Sequence, residues 1–147
     1  NKTKARDVMI KDVITVSKDA RLEDAIYIMM KHKIGVLPVV DGNQMSGIIT
    51  DKDVFRAFLE VSGYGKEGIR IRLLADDKVG ILEQVVKDIS DEKLNIKRIV
   101  VAGRREDKVI IEIQIDGRFT SESLKQKLLN QGFTIESIEQ TERKTDF

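Results

Sequence analysis

The chain has 147 residues, 41% hydrophobic and 35% charged, a composition typical of a soluble globular protein with one ordinary domain or two small ones. A net charge of +1, no cysteine and a single histidine, His32, argue against a nucleic-acid surface, disulfides, thiolate metal sites and most catalytic machinery. No apolar run reaches the ~20 residues of a membrane helix. We therefore expect a cytoplasmic protein that is not an enzyme and binds neither nucleic acid nor membrane. Because it starts at Asn1, we also expect a fragment.

The first half of the chain carries alternating strand and helix signals. Asp19 is the expected N-cap of a helix with one apolar stripe, and Pro38 suits the beginning or edge of a strand. The turn signal Asp41-Gly42-Asn43 predicts an antiparallel hairpin. The predicted order is strand, helix, hairpin and helix, over residues 13–16, 19–33, 36–50 and 51–61.

A glycine-rich stretch over residues 63–68 separates the two halves. It formally matches the dinucleotide fingerprint G-x-G-x-x-G, which binds pyrophosphate only where a strand precedes it and a helix follows. Here a helix precedes it and a strand follows. We therefore predict a flexible linker and a domain boundary at this stretch.

The second half predicts the element order βαββαβ, which is the ferredoxin-like arrangement. One helix begins after the turn at 76–80, and Thr120 is the expected cap of the other, which ends at Gly132. The predicted strands cover residues 69–74, 96–102, 109–115 and 133–138. This domain spans residues 69–140, and a polar tail over 141–147 is expected to be frayed.

Thr50 and Asp53 lie where a predicted buried strand runs into a helix. Free N–H groups at a helix start attract anions, a threonine hydroxyl can donate to phosphate, and a carboxylate suits the hydroxyl groups of a ribose. The same Thr-x-x-Asp spacing is also a capping box, which satisfies helix N–H groups without any ligand. The spacing alone leaves both interpretations open.

The first half resembles the cystathionine-β-synthase (CBS) motif over residues 6–62, and we assign residues 1–62 to it. The segments that carry the resemblance are Asp7-Val8-Met9, Val13-Ile14-Thr15-Val16, Asp24-Ala25, Leu37-Pro38-Val39-Val40-Asp41 and Gly47-Ile48-Ile49-Thr50-x-x-Asp53. In that family two motifs pair into a Bateman module whose cleft binds adenosine ligands. This chain has one motif only.

The CBS resemblance implies a nucleotide site and a role for each of its residues. Thr50 would contact phosphate or ribose, and Asp53 would hold the ribose hydroxyls. Thr15 and the segment Gly35, Val36, Leu37 and Pro38 would line the adenine pocket. The implied regulatory ligand is AMP, ADP, ATP or S-adenosylmethionine, with no required cofactor and no metal.

The second half resembles an ACT domain. Asp76-Asp77-Lys78-Val79-Gly80-Ile81-Leu82 is similar to the D-x-x-G-x-L loop of that family, and Asn95 sits where its second strand often starts. Gly80 permits close approach of backbone N–H groups to a small carboxylate. The resemblance thus implies an amino-acid or metabolite site at Asp76, Asp77, Val79, Gly80 and Asn95, whereas a plain strand-to-helix turn is the alternative.

A CBS motif followed by an ACT domain resembles the acetoin-utilisation family of regulatory proteins from its second CBS motif onward. The resemblance implies a non-catalytic sensor of small-molecule effectors. The alternative is a dimerisation or scaffold module whose pockets stay empty. Since one CBS motif leaves apolar surface uncovered, we expect a homodimer or a higher homo-oligomer. The ACT resemblance further implies that the ACT halves pair, with the Asp76–Gly80 turn of one near Asn95 of the other.

Overall fold

A computed structural model describes residues 2–118 and 122–144 of the chain. The chain divides into two compact units, residues 1–60 and residues 61–147. Among the described residues, no helix combines the length and apolar character needed to cross a membrane.

The first unit is built on a three-stranded sheet in the order β1-β2-β3. β1 is parallel to β2, and β2 and β3 form the antiparallel hairpin that the turn signal predicted. Its elements are α1 (Ala5–Val8), β1 (Val16–Ser17), α2 (Leu22–His32), β2 (Val36–Asp41), β3 (Gln44–Thr50) and α3 (Asp51–Ser62), the last of which continues two residues past the boundary. Its buried apolar residues are few: Val16, Ala25, Met29 and Leu37.

The start of α2 differs from the sequence prediction. Arg21 is the N-cap, in place of Asp19. Ser17 explains this, because its side-chain oxygen accepts from Asp19 N at 3.2 Å and its carbonyl accepts from Ala20 N at 3.1 Å, which hold Asp19 in a turn. The predicted strand over 13–16 is likewise reduced to Val16–Ser17, which pair with Val39 and Val40 of β2.

The second unit contains a four-stranded antiparallel sheet in the order β5-β6-β4-β7. Strand, helix, strand, strand, helix and strand follow one another as β4 (Gly68–Asp76), α4 (Ile81–Asp91), β5 (Ile96–Arg105), β6 (Lys108–Ile115), α5 (Glu122–Asn130) and β7 (Thr134–Thr141). The helix cap predicted at Thr120 lies outside the described residues.

Both helices of the second unit contribute to one core with alternate residues of the central strands. Because side chains alternate along a strand, every second residue of β4 and β6 belongs to this core. The buried set is Ile69, Ile71, Leu73, Ala75, Ile81, Val85, Ile89, Val109, Ile111, Ile113, Ile115, Leu124, Leu128 and Phe133. The residues between them, such as Arg70, Arg72 and Glu112, belong to the opposite face of the sheet.

The glycine-rich stretch and the beginning of the tail are ordered against each other. β4 begins at Gly68, inside the predicted linker, and β7 extends to Thr141. The Thr141 hydroxyl lies 2.8 Å from Lys66 O, and Lys144 N donates to Gly65 O at 3.1 Å. These bonds explain why the chain as far as Lys144 is not the frayed tail expected from its polar sequence.

Candidate functional site

The end of β3 and the start of α3 bring Thr50 and Asp53 into contact. Thr50 N and Thr50 Oγ1 both donate to Asp53 Oδ2, at 2.9 and 2.7 Å, and Asp53 N donates back to Thr50 Oγ1 at 3.3 Å. Arg56 Nη1 donates to the other oxygen, Asp53 Oδ1, at 3.2 Å. The capping box that the sequence left open is therefore formed, and a guanidinium group lies beside it.

The charge of Asp53 is stabilised by these contacts. The hydrogen bond from the Thr50 side chain lowers the pKa of Asp53 most, followed by the bond from the Thr50 backbone, with a smaller contribution from Arg56. The carboxylate is consequently ionised throughout the physiological range. Sequence reasoning had not included Arg56, although its i, i+3 spacing from Asp53 on a helix was a usable signal.

Gly35 and Val36 lie next to Thr50 at the edge of the β2–β3 pair. Val36 pairs with Thr50 in the antiparallel register, and Asp51 N donates to Gly35 O at 3.0 Å. A side chain on Gly35 would place its Cβ 3.4 Å from Asp51 Oδ2, an ordinary contact distance. The structure thus brings these two predicted site residues together with Thr50 and Asp53.

The other three predicted nucleotide-site residues follow the neighbouring strands. Thr15 is exposed and precedes β1, which lies alongside β2, and Pro38 pairs with Ile48 of β3. Leu37 has an exposed fraction of 0% because it belongs to the core of the first unit. Its side chain is core and not surface, so only its backbone is available to line a cleft.

The predicted ACT loop follows β4 and carries acidic residues that are already paired. Lys108 Nζ lies 2.7 Å from Asp76 Oδ1, and Arg104 Nη1 lies 2.7 Å from Asp77 Oδ2. The hydrogen bond from Lys108 lowers the pKa of Asp76. The β5–β6 hairpin brings these two basic residues to the loop.

Val79 and Gly80 form the open end of the same loop. Val79 is fully exposed, and Gly80 has a φ of 84°, in the left-handed region that favours glycine. Gly80 is the N-cap of α4 and forms no side-chain hydrogen bond there. The first N–H groups of α4 consequently have no side-chain cap at this position.

Asn95 lies at the other end of the sheet from this loop. Asn95 Nδ2 donates to Asp116 Oδ2 at 3.2 Å, next to the Ile69–Ile115 pair at the beginning of β4. Asp76 pairs with Lys108 at the end of β4, and a strand of this length spans about 27 Å. Asn95 and the Asp76–Gly80 loop therefore do not meet within one chain. This agrees with the expectation that the loop of one subunit lies near Asn95 of another.

The described part of the chain shows no candidate metal site. No group of three or more histidine, cysteine, aspartate or glutamate side chains there is placed to hold an ion.

Comparisons with known proteins bear chiefly on the first unit, and a match over 101 residues also extends into the second. The CBS domain family matches residues 5–60. The chain is 52% identical over 52 residues to the inosine-5'-monophosphate dehydrogenase of Methanocaldococcus jannaschii, over 35% of this chain and 10% of that enzyme. It is 32% identical over 63 residues to the CBS domain-containing protein YhcV of Bacillus subtilis, over 43% of each chain. It is also 35% identical over 101 residues to the inosine-5'-monophosphate dehydrogenase of Staphylococcus epidermidis, over 68% of this chain and 19% of the enzyme.

These matches span less than half the length of each of those relatives, and the similarity to the dehydrogenases is partial. They agree with the resemblance read from the sequence over residues 6–62 and with the sheet and helices of the first unit. CBS domains are generally regulatory, ligand-binding modules, and they commonly pair. Residues 5–60 of this chain are a CBS domain.

Proposed function

We propose that this protein is a non-catalytic regulatory sensor whose CBS half binds an adenosine-type nucleotide. The observation that carries the proposal is the CBS match over residues 5–60 together with the arrangement of Gly35, Thr50 and Asp53 around the start of α3. The candidate ligands are AMP, ADP, ATP and S-adenosylmethionine.

The chemistry at the start of α3 supports this ligand class. The helix start offers a favourable potential to a phosphate, and Arg56 adds a cation one helical turn from Asp53. Ionised Asp53 can accept from one hydroxyl group of a ribose, since a carboxylate has about four lone-pair positions and the structure uses three of them. A nucleotide can therefore add to this network without breaking the cap.

We further propose that two copies of the chain pair their CBS domains to complete the cleft. α3 has no buried residue among those described, and Phe55 and Phe58 are 64% and 69% exposed. A second copy would cover these side chains and supply the second motif of a Bateman module.

For the second unit we propose a ferredoxin-like ACT domain that binds an amino acid or another small metabolite. Its βαββαβ order, its strand order and the start of α4 at Gly80, which has no side-chain cap, support this assignment. Together with the CBS domain, an ACT domain would make the protein a relative of the acetoin-utilisation regulators.

One observation favours the alternative of a scaffold or dimerisation module with no small-molecule ligand. The carboxylates proposed to recognise ligands are already engaged within the chain, Asp53 by Thr50 and Arg56, and Asp76 and Asp77 by basic residues of the β5–β6 hairpin. A site that satisfies its own polar groups can serve stability alone.

A thermal-shift experiment separates the two functions. The full chain is heated with a panel of adenine nucleotides, S-adenosylmethionine and the amino acids, each in excess. A ligand at about 100 times its Kd stabilises the native state by about 2.7 kcal/mol, which is several degrees for a chain of this size. A response to adenine nucleotides supports the sensor, and an unchanged Tm against the whole panel supports the scaffold.

A further inference from the structure

One row of polar residues crosses the sheet face of the second unit that lies opposite the helices. Gln114 of β6 pairs with Arg98 of β5 on one side and with Arg70 of β4 on the other. Neighbouring strands are about 4.8 Å apart, so the two arginine backbones are separated by about 10 Å, with the glutamine between them.

This row holds most of the unsatisfied polar atoms of the described chain. Four buried side-chain nitrogen or oxygen atoms there have no hydrogen-bond partner, and three of them are Arg70 Nε, Arg98 Nε and Gln114 Oε1. Buried polar groups are nearly always paired with protein, water or a ligand. Water or a bound group outside the described chain would satisfy all three atoms of this row.

The positive charges of the row are only weakly compensated. Arg98 approaches a carboxylate only at 4.0 Å, from its Nη2 to Glu112 Oε2, and its side chain is 19% exposed. Arg70 forms no ion pair with any residue that the structure describes, including Glu139, its register partner in β7. Burial and the nearby Arg70 charge both lower the pKa of Arg98.

The adjacent row shows that this sheet face can balance its charges. Arg72 pairs with Glu112 and with Glu136, the second pair at 2.9 Å, and Arg105 pairs with Glu136 at 2.5 Å. The excess of positive charge is therefore confined to Arg70 and Arg98.

The glutamine between them is held in a fixed orientation. Gln114 Nε2 donates to Thr141 Oγ1 at 2.9 Å, and the Thr141 hydroxyl lies 3.0 Å from Gly68 O. Because the amide nitrogen is used, the amide oxygen is left for the row. The side of Arg98 is closed by Gly63, where an added Cβ would lie 3.2 Å from Arg98 Nε.

We propose that Arg70, Gln114 and Arg98 form a binding site for a small phosphate-type oxyanion. This site is separate from the nucleotide and amino-acid sites proposed above and does not depend on them. Two guanidinium groups attract such an anion and can bind it through paired N–H donors. Monohydrogen phosphate also carries one hydroxyl donor for Gln114 Oε1, whereas a carboxylate carries acceptors only. Because Gln114 Oε1 and both Nε atoms are buried, the anion would reach them after one of the long arginine side chains rotates outward.

The experiment uses the full chain and inorganic phosphate as the probe. The one-bond proton–nitrogen signals of the arginine Nε groups are followed in NMR spectra during titration with phosphate, and during a parallel titration with succinate. Sodium chloride keeps the ionic strength equal throughout, because screening alone weakens exposed charge interactions. Calorimetry gives the affinity for Arg70→Gln, Arg98→Gln and the matched control Arg118→Gln, which removes the same charge from a side chain that is 78% exposed in the same unit.

We expect phosphate to shift the Arg70 and Arg98 Nε signals, and each of the two row variants to weaken binding by about tenfold or more while Arg118→Gln binds as the unchanged chain does. Arg98→Lys should also weaken binding, because lysine lacks the planar fork of donors. Signals that do not move with phosphate, or equal weakening by Arg118→Gln, would overturn the site. Stronger shifts with succinate would overturn the choice of phosphate. The NMR signals of the unchanged chain decide the matter even where a variant fails to fold.

Discussion

Thr50 and Asp53 share a reciprocal set of hydrogen bonds in which Asp53 Oδ2 accepts from both Thr50 N and Thr50 Oγ1. The same two residues would serve the start of α3 and an adenosine ligand. The two roles can be separated, because the cap needs an acceptor oxygen while recognition of ribose hydroxyls is strengthened by the negative charge.

Asp53→Asn should preserve the fold and weaken nucleotide binding. Asparagine retains an acceptor oxygen for the cap, so we expect a loss of at most about 1 kcal/mol in the free energy of unfolding. The Kd for an adenosine ligand should rise by about tenfold or more, measured by calorimetry. Asp19→Asn is the matched control, since its backbone and not its side chain makes the bond to Ser17. Undiminished binding by Asp53→Asn would contradict the ribose role.

Asp53 should also make the stability of the CBS half sensitive to acid. Its pKa lies below the ordinary 3.8, chiefly because of the Thr50 hydroxyl, so its ionised form stabilises the folded state. This stabilisation is fully present above the unfolded pKa and is lost as the pH falls through the lower, folded pKa. We expect Tm to fall on acidification, and less steeply below pH 3.8 in Asp53→Asn than in the unchanged chain. Identical slopes for the two would show that Asp53 carries none of the acid sensitivity.

The sequence predicted the order of most elements because apolar periodicity and turn residues are local signals. The cap of α2 was predicted wrongly, since Ser17 competes for Asp19 through a turn that spacing does not reveal. Ion pairs that depend on the register between strands could not be predicted from the sequence either. Only the pairing of β4 with β6 places Lys108 beside Asp76.

The candidate ACT site shows the same limit. Asn95 and Gly80 were grouped from a family resemblance, and the sheet places them at opposite ends of β4 in one chain. Strand pairing over distant parts of the sequence decides this, and no local pattern encodes it. The row of Arg70, Gln114 and Arg98 was missed for the same reason, because its members become neighbours only through the register of three strands.

Gly80→Ala should disturb the ACT loop without filling any space. An added Cβ meets nothing within 4 Å, but the φ of 84° is unfavourable for alanine by about 1–2 kcal/mol. Any amino-acid binding at the loop should therefore weaken while the dimer persists. Thermal unfolding measures the loss of stability, sedimentation the persistence of the dimer, and calorimetry the binding of the amino acid.

Gly103→Ala is the control for this substitution. Gly103 lies in β5 of the same unit, also has nothing within 4 Å of an added Cβ, and does not have a positive φ. The free energy of unfolding of Gly103→Ala should equal or slightly exceed that of the unchanged chain, because alanine reduces the entropy of the unfolded chain. Equal effects of the two substitutions would show that the conformation of Gly80 has no special importance.

Pairing of the CBS halves should depend on the aromatic residues of α3. The buried apolar core of the first unit has four residues, whereas Phe58 is 69% exposed, so a second copy has apolar surface to cover. Burying such a side chain stabilises an interface by about 1.5–3 kcal/mol, and a two-fold interface counts it twice.

We expect the unchanged chain to sediment as a dimer or a larger oligomer at micromolar concentration. In Phe58→Glu the dissociation constant of this assembly should rise by at least about tenfold. Lys52→Glu adds a glutamate to an exposed polar position of the same helix and should leave the assembly intact. Circular dichroism establishes that both variants are folded. A folded monomer of the unchanged chain would refute the pairing, and an undiminished dimer in Phe58→Glu would place the interface away from this face of α3.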